Sequence, residues 1–286
     1  MIRKLLKTTL LTAIGCIASV GYAQETNSKF SYELLIGVHA PDLDHTIDGI
    51  SNLGPIGNTS GFESFLPKAK QGINFGLRSN YNIVKNISAY GQLGYSSNGA
   101  DNLDNLNSII TPFLGLLSLI DSPIDPESIR INIKDDGNYN LLSASIGARY
   151  DYLHKEKFNL GVYAGLSYYN LETAAVQADL SLDLGFLTFP FNNIIRIDSE
   201  SDGAIGYQLG LNMTYNIDSK FYTGLNFEYN YAQFEYSEMR IQINEESLSD
   251  FVDLIPIDLA LLQDIPVPSK IDLSSFKYGI VFGMRI

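Results

Sequence analysis

The chain is poor in several residue types that often reveal a function. It has one cysteine, no tryptophan and only 19 Lys and Arg residues against 32 Asp and Glu. The resulting formal net charge of -13 excludes a non-specific nucleic-acid binder, because such proteins need a basic surface. No stretch approaches the roughly 18 consecutive apolar residues of a membrane-spanning helix.

The residues that are abundant point to a folded, strand-rich protein. Hydrophobic residues make up 45% of the 286, which is enough for a core and excludes disorder over most of the chain. The 18 Tyr and 15 Phe residues, together with 24 Gly, favour strands over helices, because aromatic side chains fit a pleated, half-buried surface.

Residues 1–23 predict a cleaved export signal. Basic residues precede the largely apolar stretch Leu5–Val20, and small residues occupy both cleavage-site positions. Cleavage would leave a single domain, residues 24–286. The only cysteine, Cys16, lies in the removed segment, so the mature protein has no thiol for a disulfide, a zinc site or cysteine catalysis. Lipoprotein processing at Cys16 is the second choice, because the motif before it has alanine where leucine is usual.

Downstream, apolar and polar residues alternate with a period of two over segments of about ten residues, the length of a tilted membrane-spanning strand. Because successive side chains point to opposite faces of a strand, one face is apolar and the other is polar or glycine. That division fits lipid outside and a hydrated interior. Eight such segments are predicted: Phe30–Ala40, Gly72–Ile83, Ile87–Ser97, Tyr139–Leu153, Phe158–Tyr169, Ala204–Asn216, Phe221–Ala232 and Ser275–Ile286.

The connections between these segments alternate in length. Three are short, and each follows a strand end that contains tyrosine, as an aromatic girdle at a membrane interface requires; they are Val84–Asn86, His154–Lys157 and Asp218–Lys220. Four are long and cover residues 41–71, 98–138, 170–203 and 235–274. The alternation predicts short periplasmic turns and long extracellular loops.

From residue 30 to its end, the chain resembles the small OmpA/OmpX-type outer-membrane β-barrels. The most specific match is Lys277-x-Gly279-x-x-Phe282-x-Met284, which is similar to the C-terminal signal read by the barrel-assembly machinery. The match departs from the family in ending on Ile286, where an aromatic residue is usual. The resemblance implies a bacterial outer-membrane protein that contacts outer-membrane lipid and lipopolysaccharide. We expect only the barrel domain, because no peptidoglycan-binding domain of the OmpA kind follows the last predicted strand.

The predicted fold is therefore all-β: an eight-stranded antiparallel up-and-down transmembrane β-barrel. Ten strands are the alternative if loop segments such as Asp179–Phe189 enter the membrane. A soluble sandwich or lipocalin-like barrel would also bury one apolar parity. It would not explain the tyrosine strand ends, the one-sided loop lengths or the terminal signal.

The polar parity carries charges that we predict to form a network in the lumen. An eight-stranded barrel is just wide enough for side chains to fill, and buried ions must be paired. The strand order places Glu33 near Arg285, and Glu228 level with Lys277. The network either plugs the lumen, which we favour, or opens as a gate when pairs exchange partners. Its members are Glu33, Arg78, Arg149, Asp151, Glu228, Lys277 and Arg285.

The four long connections hold 26 of the 32 acidic residues and also contain apolar runs. The best calcium-loop match, Asp198–Leu209, lacks the glutamate required at its last position, so we predict no metal site. The apolar runs either pack together as a cap over the barrel or form an exposed surface for a partner. We expect the fourth loop to bind the partner through Phe251, Leu254, Ile255, Ile257, Leu259 and Leu262.

Three function classes remain: an interaction protein, a narrow porin-like channel or carrier for small or apolar solutes, and a hydrolase. Catalysis has little support, because none of the three histidines, His39, His45 and His154, lies in a nucleophile motif. No phosphate-binding loop is present, and no cofactor is predicted. We predict a non-enzymatic barrel whose loops bind an outer-membrane or extracellular protein, or a surface ligand.

Overall fold

The computed structural model describes residues 29–47, 69–84, 86–100, 129–183, 188–236, 240–243, 265–266 and 269–286. Its thirteen strands are β1 (Phe30–Ile47), β2 (Gly72–Val84), β3 (Ile87–Gly99), β4 (Ile129–Asp136), β5 (Asn138–His154), β6 (Phe158–Glu172), β7 (Ala175–Asp183), β8 (Thr188–Ile197), β9 (Ser201–Asn216), β10 (Phe221–Tyr236), β11 (Arg240–Ile243), β12 (Ile265–Pro266) and β13 (Ser269–Arg285). Within these residues, no helix has the length and hydropathy needed to cross a membrane. The predicted export signal lies outside them.

Eight of the strands form a closed antiparallel barrel in the order β1, β2, β3, β5, β6, β9, β10, β13. Pairing of β13 with β1 closes the wall, so that no edge strand is left in the barrel. The predicted eight-stranded barrel is confirmed. The ten-strand alternative is wrong, because residues 179–183 lie in β7 and residues 188–189 in β8, and both strands belong to a second sheet outside the barrel.

Several barrel strands are longer than predicted. The ladder between β1 and β13 continues past Ala40 as far as the pair Ile47 and Ser269. The predicted strand ends at Ala40. Beyond that residue, the alternate positions that are apolar in the first part of the strand are occupied by polar residues. The backbone continues to pair there because hydrogen bonding does not depend on which face is apolar.

The remaining strands form a second antiparallel sheet in the order β12, β11, β8, β7, β4, hereafter the loop sheet. All five come from the second, third and fourth long connections. Three segments of these connections in which apolar and polar residues alternate, Ile129–Lys134, Ile195–Asp198 and Met239–Ile243, fall largely within β4, β8 and β11. β8 pairs with both β7 and β11, and β4 pairs with β7, so these segments form the loop sheet and do not extend the barrel ladders.

Two junctions join the loop sheet to the barrel. Gly137, between β4 and β5, has a φ of 139°, a conformation that L side chains rarely adopt, so the sharp turn requires glycine there. Between β6 and β7, the backbone nitrogen of Thr173 donates to Glu200 O at 2.8 Å, and Glu200 N donates back to the Thr173 hydroxyl at 3.1 Å. These bonds tie the start of β7 to the end of the β8–β9 connection.

An apolar belt surrounds the barrel wall. Outward-facing residues such as Ile205 and Ile146 are 79% and 71% exposed. On β9, Tyr207 and Tyr215 are eight residue steps apart, which is about 26 Å along the strand and, at a tilt near 40°, about 20 Å across the belt. An apolar band between two aromatic rows is the arrangement that a bilayer requires.

Candidate functional site

The middle of the lumen is filled by a charge network centred on Arg78. Its guanidinium lies 3.1 Å from Glu33 Oε2 and 3.5 Å from Glu228 Oε2, and its Nε donates to Gln92 Oε1 at 2.7 Å. The alternation of β2 turns Arg78 inward, and its side chain is fully buried. Arg78 therefore bridges two carboxylates that stand on β1 and β10.

Aromatic side chains enclose this guanidinium. The Tyr163 ring centroid lies 4.1 Å from Arg78 Cζ, and the Tyr90 centroid lies 5.5 Å away. Tyr163 lies over Gly210 on β9, where any Cβ would overlap the ring. The hydroxyl of Tyr163 is 3.0 Å from Glu228 Oε2. A cation stacked on aromatic faces and bonded to two carboxylates is held in one place.

A second arginine extends the network toward the short-turn end, where the 84–87, 154–158 and 216–221 connections lie. Arg149 Nη1 donates to Glu33 Oε1 at 2.9 Å, and its Nε donates to Asp151 Oδ1 at 2.8 Å. On the other side, Lys277 Nζ lies 3.6 Å from Glu228 Oε1. Three cations thus face three carboxylates, and the group carries no net formal charge.

Arg285 lies at the short-turn end, one inward position from Gly283, the register partner of Glu33. Its guanidinium lies 4.7 Å from the centroid of the Tyr222 ring and donates to Asn216 Oδ1 at 2.6 Å. Tyr222 in turn donates to Glu33 Oε1 at 2.9 Å, so a tyrosine stands between the two predicted neighbours. Here a polar vestibule of about 70 Å³ opens at the short-turn end.

The long-loop end of the lumen is closed by apolar side chains, hereafter the apolar closure. Its polar tips are satisfied: the Tyr236 hydroxyl donates to Leu171 O at 2.8 Å, and the Tyr169 hydroxyl donates to Asn230 Oδ1 at 2.7 Å. The members are Leu43, Ala100, Tyr139, Leu141, Tyr169, Leu171, Ala174, Ala204, Ala232, Phe234, Tyr236, Ile271 and Leu273. All of them belong to barrel strands or lie directly beside their ends.

The two faces of the wall exchange polarity where the closure begins. Toward the long-loop end of β13, the inward face changes from polar Ser275 to buried, apolar Leu273. The outward face changes from Phe276, which is 61% exposed, to Asp272. The same exchange occurs on β10, where inward-facing Asn230 precedes Phe234. The short-turn part of the barrel is thus polar inside and apolar outside, and the long-loop end has the dry interior and polar surface of a soluble barrel.

Sequence reasoning missed this closure because it assigned each strand a single polar parity. The signal was present, since Ala232 at the predicted strand end, and Phe234 and Tyr236 beyond it, continue the inward parity of Glu228. It also missed the tyrosines that enclose Arg78. A tyrosine on the polar parity of a strand, such as Tyr90 or Tyr163, would have been the indication.

The other predicted site residues lie in different places. In the assembly signal, Lys277 and Gly279 face the lumen, Phe282 is an exposed outward residue and Met284 is half-buried near the short-turn end. The six predicted partner-binding residues between Phe251 and Leu262 lie outside the described residues. Within the described ranges, no three His, Cys, Asp or Glu side chains are grouped so as to hold a metal ion.

A closed eight-stranded barrel with an apolar belt, aromatic rows and a filled polar lumen is an integral membrane β-barrel. The chain belongs to the family described as outer membrane protein beta-barrel domain, whose model matches residues 10–250. It is therefore a protein of the bacterial outer membrane. No curated protein sequence matches the chain.

Similar solved structures include three other outer-membrane barrels. Ail, the attachment invasion locus protein of Yersinia pestis, is 12% identical, with 89% of this chain and 99% of Ail covered and a TM-score of 0.32. Neisserial surface protein A has the same identity and coverage, with a TM-score of 0.34. The outer membrane protease OmpT from Escherichia coli is 8% identical over 93% of this chain and 99% of OmpT, with a TM-score of 0.41.

Proposed function

We propose that the protein is a non-enzymatic outer-membrane barrel that binds a partner protein or surface ligand at its long-loop end. The loop sheet carries this proposal. Long connections that only cover the end of a barrel do not need to form paired β-strands. Here three of the long connections supply the five paired strands of the loop sheet. The barrel strands extend beyond the apolar belt at the end that is connected to the loop sheet. If the short turns are periplasmic, the loop sheet is on the cell exterior.

One edge of the loop sheet supports the proposal further. Among the described strands, β4 pairs only with β7, so one side of an eight-residue strand has no ladder partner within that part of the chain. An extended peptide can add to such an edge through main-chain hydrogen bonds. The acidic residues concentrated in the long connections would favour a partner with a basic rim.

The lumen argues against the channel alternative. A solute would have to displace the apolar closure and then separate Arg78 from Glu33 and Glu228. Removing one member of a buried ion pair costs about 3–5 kcal/mol. Both barriers are made of side chains fixed on barrel strands, which have no loop-like freedom to swing aside.

Two variants of the fourth loop test the proposal. In the first, Phe251, Leu254, Ile255, Ile257, Leu259 and Leu262 are all changed to Ser; in the matched control, Asp250, Asp253, Asp258 and Asp264 are changed to Asn. We expect the first variant to lose the proteins that co-purify in mild detergent, measured by quantitative mass spectrometry. The control keeps the apolar side chains and should retain the co-purifying proteins, with co-purification that depends less on salt because four acidic groups are gone. Heat-modifiable migration reports an intact barrel, and unchanged co-purification of the serine variant would exclude this loop from the interface.

A further inference from the structure

Four buried polar atoms on the lumen-facing sides of β1, β10 and β13 have no hydrogen-bond partner within the described part of the chain. They belong to residues that are at most 2% exposed. Buried polar atoms in folded proteins are almost always paired with protein or with ordered water. The four atoms are His39 Nε2, Glu228 Oε1, Asn230 Nδ2 and Ser275 Oγ.

The strand register brings these atoms into one region of the lumen. His39 faces Lys277 on β13, and Lys277 faces Glu228 on β10. Ser275, two residues from Lys277 on the same face, is opposite Asn230. Directly opposed residues lie about 5 Å apart and successive inward residues about 7 Å apart. One small bridging molecule can therefore reach several of the four atoms.

The neighbouring hydrogen bonds define what each atom needs. The Asn98 amide nitrogen donates to the backbone oxygens of His39 and Lys70, so Asn98 Oδ1 accepts from His39 Nδ1 at 2.7 Å. His39 Nε2 is then an acceptor. Asn230 Oδ1 accepts from Tyr169, which leaves Asn230 Nδ2 as a donor. The region thus needs a ligand that both donates and accepts.

The charges exclude an ion as that ligand. The network has three cations and three carboxylates, so a further charge would have no counter-charge. The distance of 3.6 Å between Lys277 Nζ and Glu228 Oε1 is too long for a hydrogen bond and is the kind of gap that a water molecule bridges.

We propose that the lumen holds a sealed water cluster among His39, Glu228, Asn230 and Ser275, hereafter the His39 site. At about three hydrogen bonds per buried water, the four atoms and Lys277 require two or three water molecules. Arg78, stacked on Tyr163, separates the site from the vestibule, and Leu273 of the apolar closure covers it from the other side. Because Arg78 and Leu273 bound the site on its two sides within the described residues, we expect the cluster to exchange slowly with solvent.

Water magnetic relaxation dispersion on the purified barrel in detergent tests the proposal, because it counts water molecules held for longer than nanoseconds. The double variant Asn230→Leu/Ser275→Ala should lose at least half of the long-lived water signal. The matched control Asn159→Leu/Ser88→Ala, which makes the same changes at the open vestibule, should keep it.

Absence of a long-lived signal from the unmodified barrel would overturn the proposal, and so would an equal loss in the control. If the first variant does not fold, water-to-protein cross-relaxation at His39 and Ser275 in the unmodified barrel decides. Cross-peaks with residence times above nanoseconds support the sealed cluster. Missing cross-peaks refute it, and rapid exchange refutes the seal and favours a continuous channel.

Discussion

Lys277 and Glu228 face each other directly across β13 and β10, yet their nearest charged atoms lie 3.6 Å apart. Glu33 and Arg149, on strands that are not neighbours, approach to 2.9 Å with a hydrogen bond. Strand register therefore places Lys277 beside Glu228 without a direct hydrogen bond. The longer Arg149 side chain reaches Glu33 and forms one. The two pairs allow a direct comparison of contact geometry in one lumen.

The first prediction compares these pairs by double-mutant cycles. Single changes, Glu228→Gln, Lys277→Met, Glu33→Gln or Arg149→Met, should each destabilise the barrel by about 3–5 kcal/mol, since a buried charge is left uncompensated. The coupling energy should be larger for Glu33 with Arg149 than for Glu228 with Lys277, because only the former pair is directly hydrogen-bonded. Urea unfolding in lipid vesicles measures both. Strictly additive effects within either pair would show that its members do not interact.

The second prediction concerns the apolar closure. Phe234→Ala should lower the free energy of unfolding by about 3–5 kcal/mol, because the side chain is completely buried and its removal leaves a cavity. Phe276→Ala is the matched control: Phe276 is 61% exposed on the outer face of the adjacent strand, where lipid can fill the space, and should cost less. The same urea titration compares the two. Equal losses would contradict the assignment of a dry interior to the long-loop end.

The third prediction concerns the short turn after β9. The backbone N–H groups of Lys220 and Phe221 each donate to Asp218 Oδ1 at 2.7 Å and hold the pKa of that carboxyl below its ordinary value of 3.8. A lowered folded pKa means that this contribution to stability is present at neutral pH and is lost as pH falls below 3.8 through the lowered value. NMR titration of the side chain should show the lowered pKa, and Asp218→Ala should remove this acid dependence. A midpoint at or above 3.8 would argue against the turn hydrogen bonds.

The fourth prediction fixes the orientation in the membrane. Ser219→Cys lies in a short turn and Ser249→Cys in the fourth long connection. On intact cells, an impermeant thiol reagent should label the second variant and leave the first unmodified until the cells are lysed. Labelling of Ser219→Cys alone would reverse the orientation and place the loop sheet in the periplasm.

The period-two alternation by itself determined the barrel and its eight strands. In a membrane barrel every backbone group must be paired, and the two faces of a strand contact lipid on one side and the lumen on the other. The alternation of apolar and polar residues is therefore visible within each strand segment by itself. The inward position of Arg78, Glu228 and Lys277 could be predicted for the same reason, because parity alone decides it.

Only the tertiary structure decided which of these charges meet and where the lumen closes. Arg78 reaches Glu228 across the lumen, and Tyr222 separates Arg285 from Glu33; both depend on side-chain lengths in a shared interior. Phe234 and Leu273 form part of the apolar closure at a level where the outer face of the wall is no longer apolar. Recognising this requires a comparison of the inner and outer faces of several strands at the same height. The loop sheet likewise arises from pairing of β4 with β7 and of β8 with β11, strands that are far apart in the chain, and no local pattern specifies which strand pairs with which.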